Sequence, residues 1–369
     1  MPFHYAMSEF IRTEIRNRIG IITLDRPKAL NSLSLEMVRA ITTALLGWRE
    51  DPGVRAVLIR STSERAFCAG GDIRFFYEMG KATPREGSAL LEDFFTEEYA
   101  LNHLIHFYPK PYIALMDGIV MGGGMGVAQG GEANRMRIVT ERTKMAMPEV
   151  NIGLFPDVGG SYFLSRAPGE TGTWLGLTGE TVGAADALYT DLADVFVPAS
   201  QLPALERMLL EFDGADIRAA ICEFAAPYGD QVAPASSRLA RARAAIDRHF
   251  ALDSVAAIAA SLARDDDEFA QASLAAMNKR SPLMMGVTLA QLRRGAMMGV
   301  ADCLRMERTM VRRSFEHGEV LEGVRALVID KDNMPTWCES DPEKLSAEMI
   351  NRFFEPAWPP HAHPLRDLD

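Results

Sequence analysis

The sequence predicts an α/β fold followed by a helical C-terminal region, on three observations. Short apolar runs of strand length alternate with helix-like stretches as far as Pro168. Two of the strands run into glycines that open onto a helix, in AFCAGGDIRFFYE (66–78) and PYIALMDGIVMGGGMG (111–126). From Ala233 to Met298 the chain is rich in Ala, Arg and Leu at helical spacing, enough for at least three amphipathic helices.

Taken in order, residues 10–24 hold two strand-like runs around Asn17-Arg18, closed by Asp25-Arg26-Pro27. Ser34 is placed to cap a helix through LEMVRAITTALLGWRED. Val54 to Ile59 reads as a buried strand, and Tyr112 to Leu115 as another. Beyond Pro168 the string TWLGLTGETVGAADALYTDLADVFVP predicts helix, turn, helix and short strand, with a further helix from Gln201 to Phe212. Ser281-Pro282 starts a helix carrying LMMGVTLAQLRRG, and Met284, Met285, Met297 and Met298 read as core filler. The acidic run Arg264 to Glu268 reads as a solvated helix start. After Trp337 a polar helix and a loose Pro-rich tail, PAWPPHAHPLRDLD, are expected. No tandem sequence repeat is visible. A boundary near 230 separates residues 8–230, read as the core, from a helical region, 231–369.

Composition narrows the function. A net charge of −11 argues against a general binder of nucleic acid or of anionic membranes. No apolar run is long enough to span a bilayer. Cys68, Cys222, Cys303 and Cys338 are scattered without metal-type spacing, and MPFHYAMSEF lacks the order of a signal or transit peptide. A cytoplasmic location is the expectation.

The chemistry concentrates between Pro111 and Pro168. A helix opening on glycine presents N–H groups with no acceptor inside the helix, together with the positive end of its dipole. Two such junctions can each aim one N–H at a single oxygen, which is what an oxyanion hole requires. Two isolated acids follow, Glu149 in MPEV and Asp157 in FPDVGG. Each feature has a plain structural reading as well: glycine runs serve tight turns, and loop carboxylates serve as caps or surface ion pairs. There is no G-x-S-x-G elbow, P-loop or H-E-x-x-H, and GGGMGVAQGG does not fit a dinucleotide fingerprint. Cys68 is expected to be a small buried residue. His361 and His363 are spaced like a metal pair but sit in the Pro-rich tail.

ITLDRPKALNSLS, AFCAGGDIR, PYIALMDGIVMGGGMG and MPEVNIGLFPDVGGSYFLSR, in this order, resemble the crotonase (enoyl-CoA hydratase/isomerase) superfamily. FFTEEYALN, FPDVGG and EGVRALVIDKDNMPTW resemble its 3-hydroxyisobutyryl-CoA hydrolase branch more narrowly. The similarity runs from about Ile11 to Trp337. It implies an α/β fold built as a crotonase-like spiral of ββα units with a helical C-terminal region, binding acyl-CoA and polarising its thioester through two backbone N–H groups.

Matched position by position, the resemblance makes Gly71 and Gly123 those donors. It places Lys28, Ala29, Leu30, Ala69, Asp72 and Ile73 along the nucleotide part of coenzyme A. Hydratases of the superfamily carry a glutamate three residues after the Gly123 position, where this chain has Gly126, and usually a glycine where it has Asp157. The hydrolase branch instead pairs Glu149 with Asp157, and its Glu98 and Gly123 positions line the acyl site. Glu97 beside Glu98 is an equally plain candidate by sequence.

The reading is thioester hydrolysis of a short branched 3-hydroxyacyl-CoA, 3-hydroxyisobutyryl-CoA of valine breakdown in the first place. Glu149 would attack the carbonyl or activate water. Enoyl-CoA hydration or isomerisation and non-catalytic acyl-CoA binding are the alternatives. No resident cofactor or metal is expected, since coenzyme A enters with the substrate, and a homo-oligomer is an open expectation of the superfamily.

Overall fold

The computed structural model describes residues 8–83 and 87–369. The first seven residues, with His4 and most of the N-terminal segment judged for a leader, lie outside the described residues. The chain divides into two units by contact: one comprises the residues up to Gly71, Leu101–Met145 and Val182–Ala240, the other Asp72–Ala100, Ala146–Thr181 and Arg241–Asp369.

The first unit is built on strands. β1 (Ile11–Arg16) and β2 (Ile19–Leu24) form a hairpin whose turn residues, Asn17 and Arg18, have φ of 47° and 66°. Left-handed geometry at both turn positions matches the twist of the flanking strands. β1 exposes all but its first residue, whereas β2 is buried throughout. After α1 (Leu35–Arg49), capped by the Ser34 hydroxyl accepting from the Met37 N–H, comes β3 (Ala56–Ser61), parallel to β2.

From β3 onward a pattern repeats. β3 is followed by β4 (Ala66–Cys68), then by α2 (Ile73–Ala82) and α3 (Ala89–His106). β5 (Tyr112–Met116) is followed by β6 (Ile119–Met121) and α4 (Gly123–Ala128), and β7 (Arg135–Val139) by β8 (Lys144–Ala146). The long strands and β9 (Val195–Phe196) form a six-stranded sheet in the order β1-β2-β3-β5-β7-β9. The short strands form a second sheet, β4-β6-β8. Each turn of chain thus lays one strand in each sheet before its helix, with no recurring residues to advertise it. Gly118, at φ 79° between β5 and β6, carries the tight link; a Cβ there would stand 2.6 Å from the Arg65 carbonyl.

Ile19, Ile21, Leu58, Ile113, Leu115 and Ile138 from the large sheet share one core with Leu205, Leu209, Ile217 and Ile221. A continuous apolar strand sequence is what a parallel strand covered on its faces demands. The short helices α5 (Gly160–Phe163) and α6 (Thr171–Thr178) precede α7 (Ala184–Tyr189), and the sheet-covering helices are α8 (Leu202–Glu211) and α9 (Ile217–Ala225).

The second unit is mainly helical. α10 (Arg238–Phe250), α11 (Val255–Ala263), α12 (Glu268–Met277), α13 (Pro282–Gly295), α14 (Val300–His317), α15 (Val320–Val324) and α16 (Ala347–Asn351) follow in order. The acidic run does start a helix, with Asp267 accepting the N–H groups of Phe269 and Ala270 at the head of α12. Ser281 caps α13.

Two expectations fail here. Met284 and Met285 are buried, but Met297, beyond the end of α13, is 90% exposed and Met298 is half-buried, so neither is core filler. The Pro-rich tail is held rather than loose: Leu365 is buried, Trp358 lies over the Arg308 guanidinium, and Arg305 donates to the Leu365 carbonyl. Prolines lower the entropy lost on fixing a segment, and the tail's apolar residues supply contacts. His363 is tied to the Arg305 carbonyl and the Leu365 N–H.

Candidate active site

The two strand–glycine–helix junctions lie at the ends of neighbouring parallel strands. β4 pairs with β6 through Ala66↔Ile119 and Cys68↔Val120, so both strands reach their glycines at the same end of the small sheet. Gly70, at φ 107°, lies beside the second junction: a Cβ there would stand 3.2 Å from the Met121 carbonyl oxygen and 3.5 Å from the Gly123 nitrogen. Gly122 has φ 49° and ψ −122°, a conformation open to glycine, and passes the chain into α4. Gly123 is the first residue of α4, so its N–H has no acceptor within the helix. Gly124 is required by packing, since a Cβ there would meet the Cys68 carbonyl oxygen at 2.2 Å.

The same end of the small sheet receives the segment between β2 and α1. Ala69 N–H donates to the Leu30 carbonyl at 3.0 Å and Leu33 N–H to the Gly70 carbonyl at 2.7 Å. Lys28, Ala29, Leu30, Ala69 and Gly71 are thereby gathered, with Lys28 exposed. Asp72 and Ile73 open the second unit: the Asp72 carboxylate accepts the Phe75 N–H and caps α2. Cys68 is fully buried.

In the second unit the acids cluster. Glu98 and Tyr99 lie on α3, Glu149 opens a 3₁₀ turn straight after Pro148, and Asp157 sits between Pro156 and α5. Glu98, Glu149 and Asp157 are 2%, 6% and 6% exposed, which separates Glu98 from the half-buried Glu97. Tyr99 donates its hydroxyl to Asp157 Oδ2 at 2.7 Å. One oxygen of Glu98 and one of Glu149 are buried with no protein partner. Buried polar atoms are normally satisfied, which makes these two oxygens candidates to meet a bound group.

Sequence reasoning passed over Tyr99 and Glu307. Glu307, on α14, is fully buried and accepts the N–H groups of Gly159 (2.8 Å) and Ser161 (2.9 Å). A signal existed: Val300, Cys303, Leu304, Glu307 and Val311 follow helical spacing, so Glu307 is an acid at a core position. Tyr99 follows Glu98 in a helix, where adjacent residues do not normally share a face, and nothing in the pattern links it to Asp157.

The electrostatics rank these acids. Burial raises Asp157 to about 6, opposed by the Tyr99 hydroxyl and by a backbone N–H. Burial lifts Glu149 and Glu98 well above the carboxylate range, and the nearby Asp157 charge lifts both further. Glu307 is raised to about 8 by burial, against the hydrogen bonds it accepts. Burial therefore favours the protonated forms of Glu98 and Glu149, while the Tyr99 hydroxyl favours the ionised form of Asp157. Unlike neighbours in one site supply both an acid and a base.

Residues 19–354 match the model of a family described as enoyl-CoA hydratase/isomerase. The chain belongs to that family. Its relatives include the mitochondrial 3-hydroxyisobutyryl-CoA hydrolase of Gallus gallus, 40% identical over 340 residues, covering 91% of this chain and 86% of that protein. Among solved structures, an enoyl-CoA hydratase from Rhodobacter sphaeroides 2.4.1 is 40% identical with a TM-score of 0.85, covering 95% of this chain and 98% of that one. A carnitinyl-CoA dehydratase from Mycobacterium thermoresistibile is 38% identical with a TM-score of 0.86 and the same coverages. The repeat of one strand in each sheet before a helix is the crotonase-like architecture of this enoyl-CoA hydratase/isomerase family. Within the family the chain keeps a helical C-terminal region, and among the described residues no helix is long and apolar enough to cross a membrane.

Proposed function

We propose that the protein is an acyl-CoA thioester hydrolase acting on 3-hydroxyisobutyryl-CoA, releasing 3-hydroxyisobutyrate and coenzyme A. The observation that carries this is the pairing of Glu149 with a buried Asp157 in a chain that has Gly126 at the second hydratase acid. The 40% identity to a 3-hydroxyisobutyryl-CoA hydrolase over most of both chains supports it. Two similar solved proteins are a hydratase and a dehydratase, so water addition to an enoyl-CoA is the rival.

In this reading the N–H groups of Gly71 and Gly123 bind the thioester oxygen and take up its negative charge as the carbonyl carbon becomes tetrahedral. Burial and the Asp157 charge both favour the protonated form of Glu149, so in this mechanism Asp157 takes up the Glu149 proton as the reaction begins. Glu149 then attacks the carbonyl carbon, or draws a proton from the water that does. The carbon–sulfur bond breaks with its electron pair on sulfur, and the thiolate takes a proton from the Asp157 carboxyl. On the first route water then cleaves the mixed anhydride; trapping with hydroxylamine distinguishes the two. Glu98, with one oxygen that has no protein partner, would hydrogen-bond the hydroxyl of the acyl group. Lys28, Ala29, Leu30, Ala69, Asp72 and Ile73 are proposed to line the nucleotide part of coenzyme A, which enters as part of the substrate; no resident cofactor is invoked, and activity should survive a chelator.

Degradation of valine is the proposed setting. Four scattered cysteines without metal-type spacing support a reducing compartment, proposed as the cytoplasm; the Gallus gallus protein is named mitochondrial, and cell fractionation decides between them. Assembly into a homo-oligomer is likewise a proposal, tested by light scattering. For the reaction, a small panel of acyl-CoA esters is assayed for free thiol and for loss of enoyl absorbance. Thiol from 3-hydroxyisobutyryl-CoA with poor hydration of crotonyl-CoA is expected. Fast hydration without thiol would overturn the hydrolase reading.

A further inference from the structure

Asp157 lies in a turn that the backbone does not adopt freely. Val158, next to it, has φ 52°, and Gly159 has φ 90°. A β-branched residue in the left-handed region is strained and persists only where its surroundings hold it. Two buried side chains do so. The Glu307 carboxyl group takes the N–H groups of Gly159 and Ser161, and Gln291 on α13 donates to the Pro156 carbonyl (2.5 Å) and the Ser161 hydroxyl (2.8 Å).

The residue after Glu307 reaches the other backbone that carries the acids. Arg308 is 1% exposed, and its guanidinium donates from Nε to the Thr96 hydroxyl at 2.9 Å, and to the carbonyl and carboxylate of Glu92. Glu92 and Thr96 lie on α3, the first about two turns and the second less than one turn before Glu98 and Tyr99. A planar fork with several donors fixes the position and rotation of a helix as a single ammonium does not. Trp358 covers that guanidinium, 4.8 Å from ring centre to carbon, and shields it from water.

We propose that Glu307 and Arg308 are positioning residues for hydrolysis: adjacent on α14, one holds the turn that aims Asp157 and the other the helix that aims Glu98 and Tyr99. The inference rests on the hydrolase reading for its kinetic test, and on the hydrogen bonds alone for its structural one. The two residues set Asp157 against the Tyr99 hydroxyl through the backbones that bear them, without touching the substrate.

Glu307→Gln keeps the size of the side chain but turns an amide nitrogen toward one of the two N–H donors. In the full chain, kcat for thiol release from 3-hydroxyisobutyryl-CoA should fall about 10- to 100-fold, as for a reacting group displaced by a fraction of an ångström. KM should stay within about threefold and coenzyme A should bind as before, since only positioning is lost. Hydrogen exchange at the Gly159 and Ser161 amides should accelerate while the six-stranded sheet exchanges as in the parent. Adding Val158→Gly should return part of the lost kcat, because glycine adopts the left-handed turn unaided; Val158→Ala, which keeps a Cβ, should not. Should Glu307→Gln fail to fold, Arg308→Lys carries the test, with the same split of kcat from KM. Faster exchange with unchanged kcat would overturn the inference, as would a kcat loss matched by lost coenzyme A binding. If the parent released no thiol, the hydrolase reading would fall, and the exchange arm would still show whether Glu307 holds the turn.

Discussion

At the residue scale, what matters is which acid gives up its proton first. The Tyr99 hydroxyl stabilises ionised Asp157, while burial favours the protonated forms of Glu149 and Glu98, each with one oxygen that has no protein partner. Since Asp157 must be ionised to accept a proton, kcat should rise with pH through about 6. Tyr99→Phe removes a hydrogen bond to a charged group, of the kind that contributes roughly 1.5–3 kcal/mol, so the acid limb should move upward by about 1 pH unit or more. A limb that stayed in place would show that Tyr99 does not set the order of protonation. Sequence could name Glu149 and Asp157 because each stands alone in a Pro-containing loop, and it could not choose between Glu97 and Glu98, which only burial separates. Glu307 was legible only as an acid on an apolar helix face, an anomaly without a partner until the turn at Gly159 was in place.

At the scale of elements, the two glycine junctions are one device used twice on adjacent strands. Gly123→Ala keeps the N–H, whereas Gly123→Pro removes the donor; losing one oxyanion donor costs about 10²–10³ in turnover. The proline variant's fold must be verified, and normal turnover in a folded one would exclude Gly123 as a donor. Gly124→Ala tests packing instead: its Cβ would sit 2.2 Å from the Cys68 carbonyl oxygen, so α4 must shift away from β4. The expected result is a lower melting temperature together with slower turnover, since the shift carries the Gly123 N–H with it. The order and type of most elements were readable from apolar periodicity, caps and turn residues. The alternation between two sheets was not, because it repeats in geometry and not in residue identity. The tail was misread because proline content says little about whether apolar residues beside it find a surface.

For the whole molecule, the buried acids leave a mark on stability. Glu307 and Asp157 bind protons more tightly folded than unfolded, so the stability they contribute is present at low pH and lost as pH rises through about 6 and about 8. Melting temperature should therefore decline between pH 5 and 9 more steeply in the parent than in Glu307→Gln, in which one of these protons no longer titrates; equal slopes would contradict the linkage. The proposed division at 230 cuts through both units, because Val182–Ala240 belongs to the first and Ala146–Thr181 to the same unit as α14. A fragment 8–230 lacks Glu307 and Arg308, and keeps Asp157 and Glu98 without the side chains that hold their backbones. The central claim is that Glu149 performs the chemistry with Asp157. Measuring thiol release by folded Glu149→Gln, with coenzyme A affinity measured alongside, tests it most directly. Turnover should fall by at least the roughly 10²–10⁴-fold typical of acid–base catalysis while coenzyme A still binds, and the double variant with Asp157→Asn should lose less than the product of the two. Turnover at the parent rate in Glu149→Gln would return Glu149 to the status of a buried loop carboxylate and contradict the mechanism.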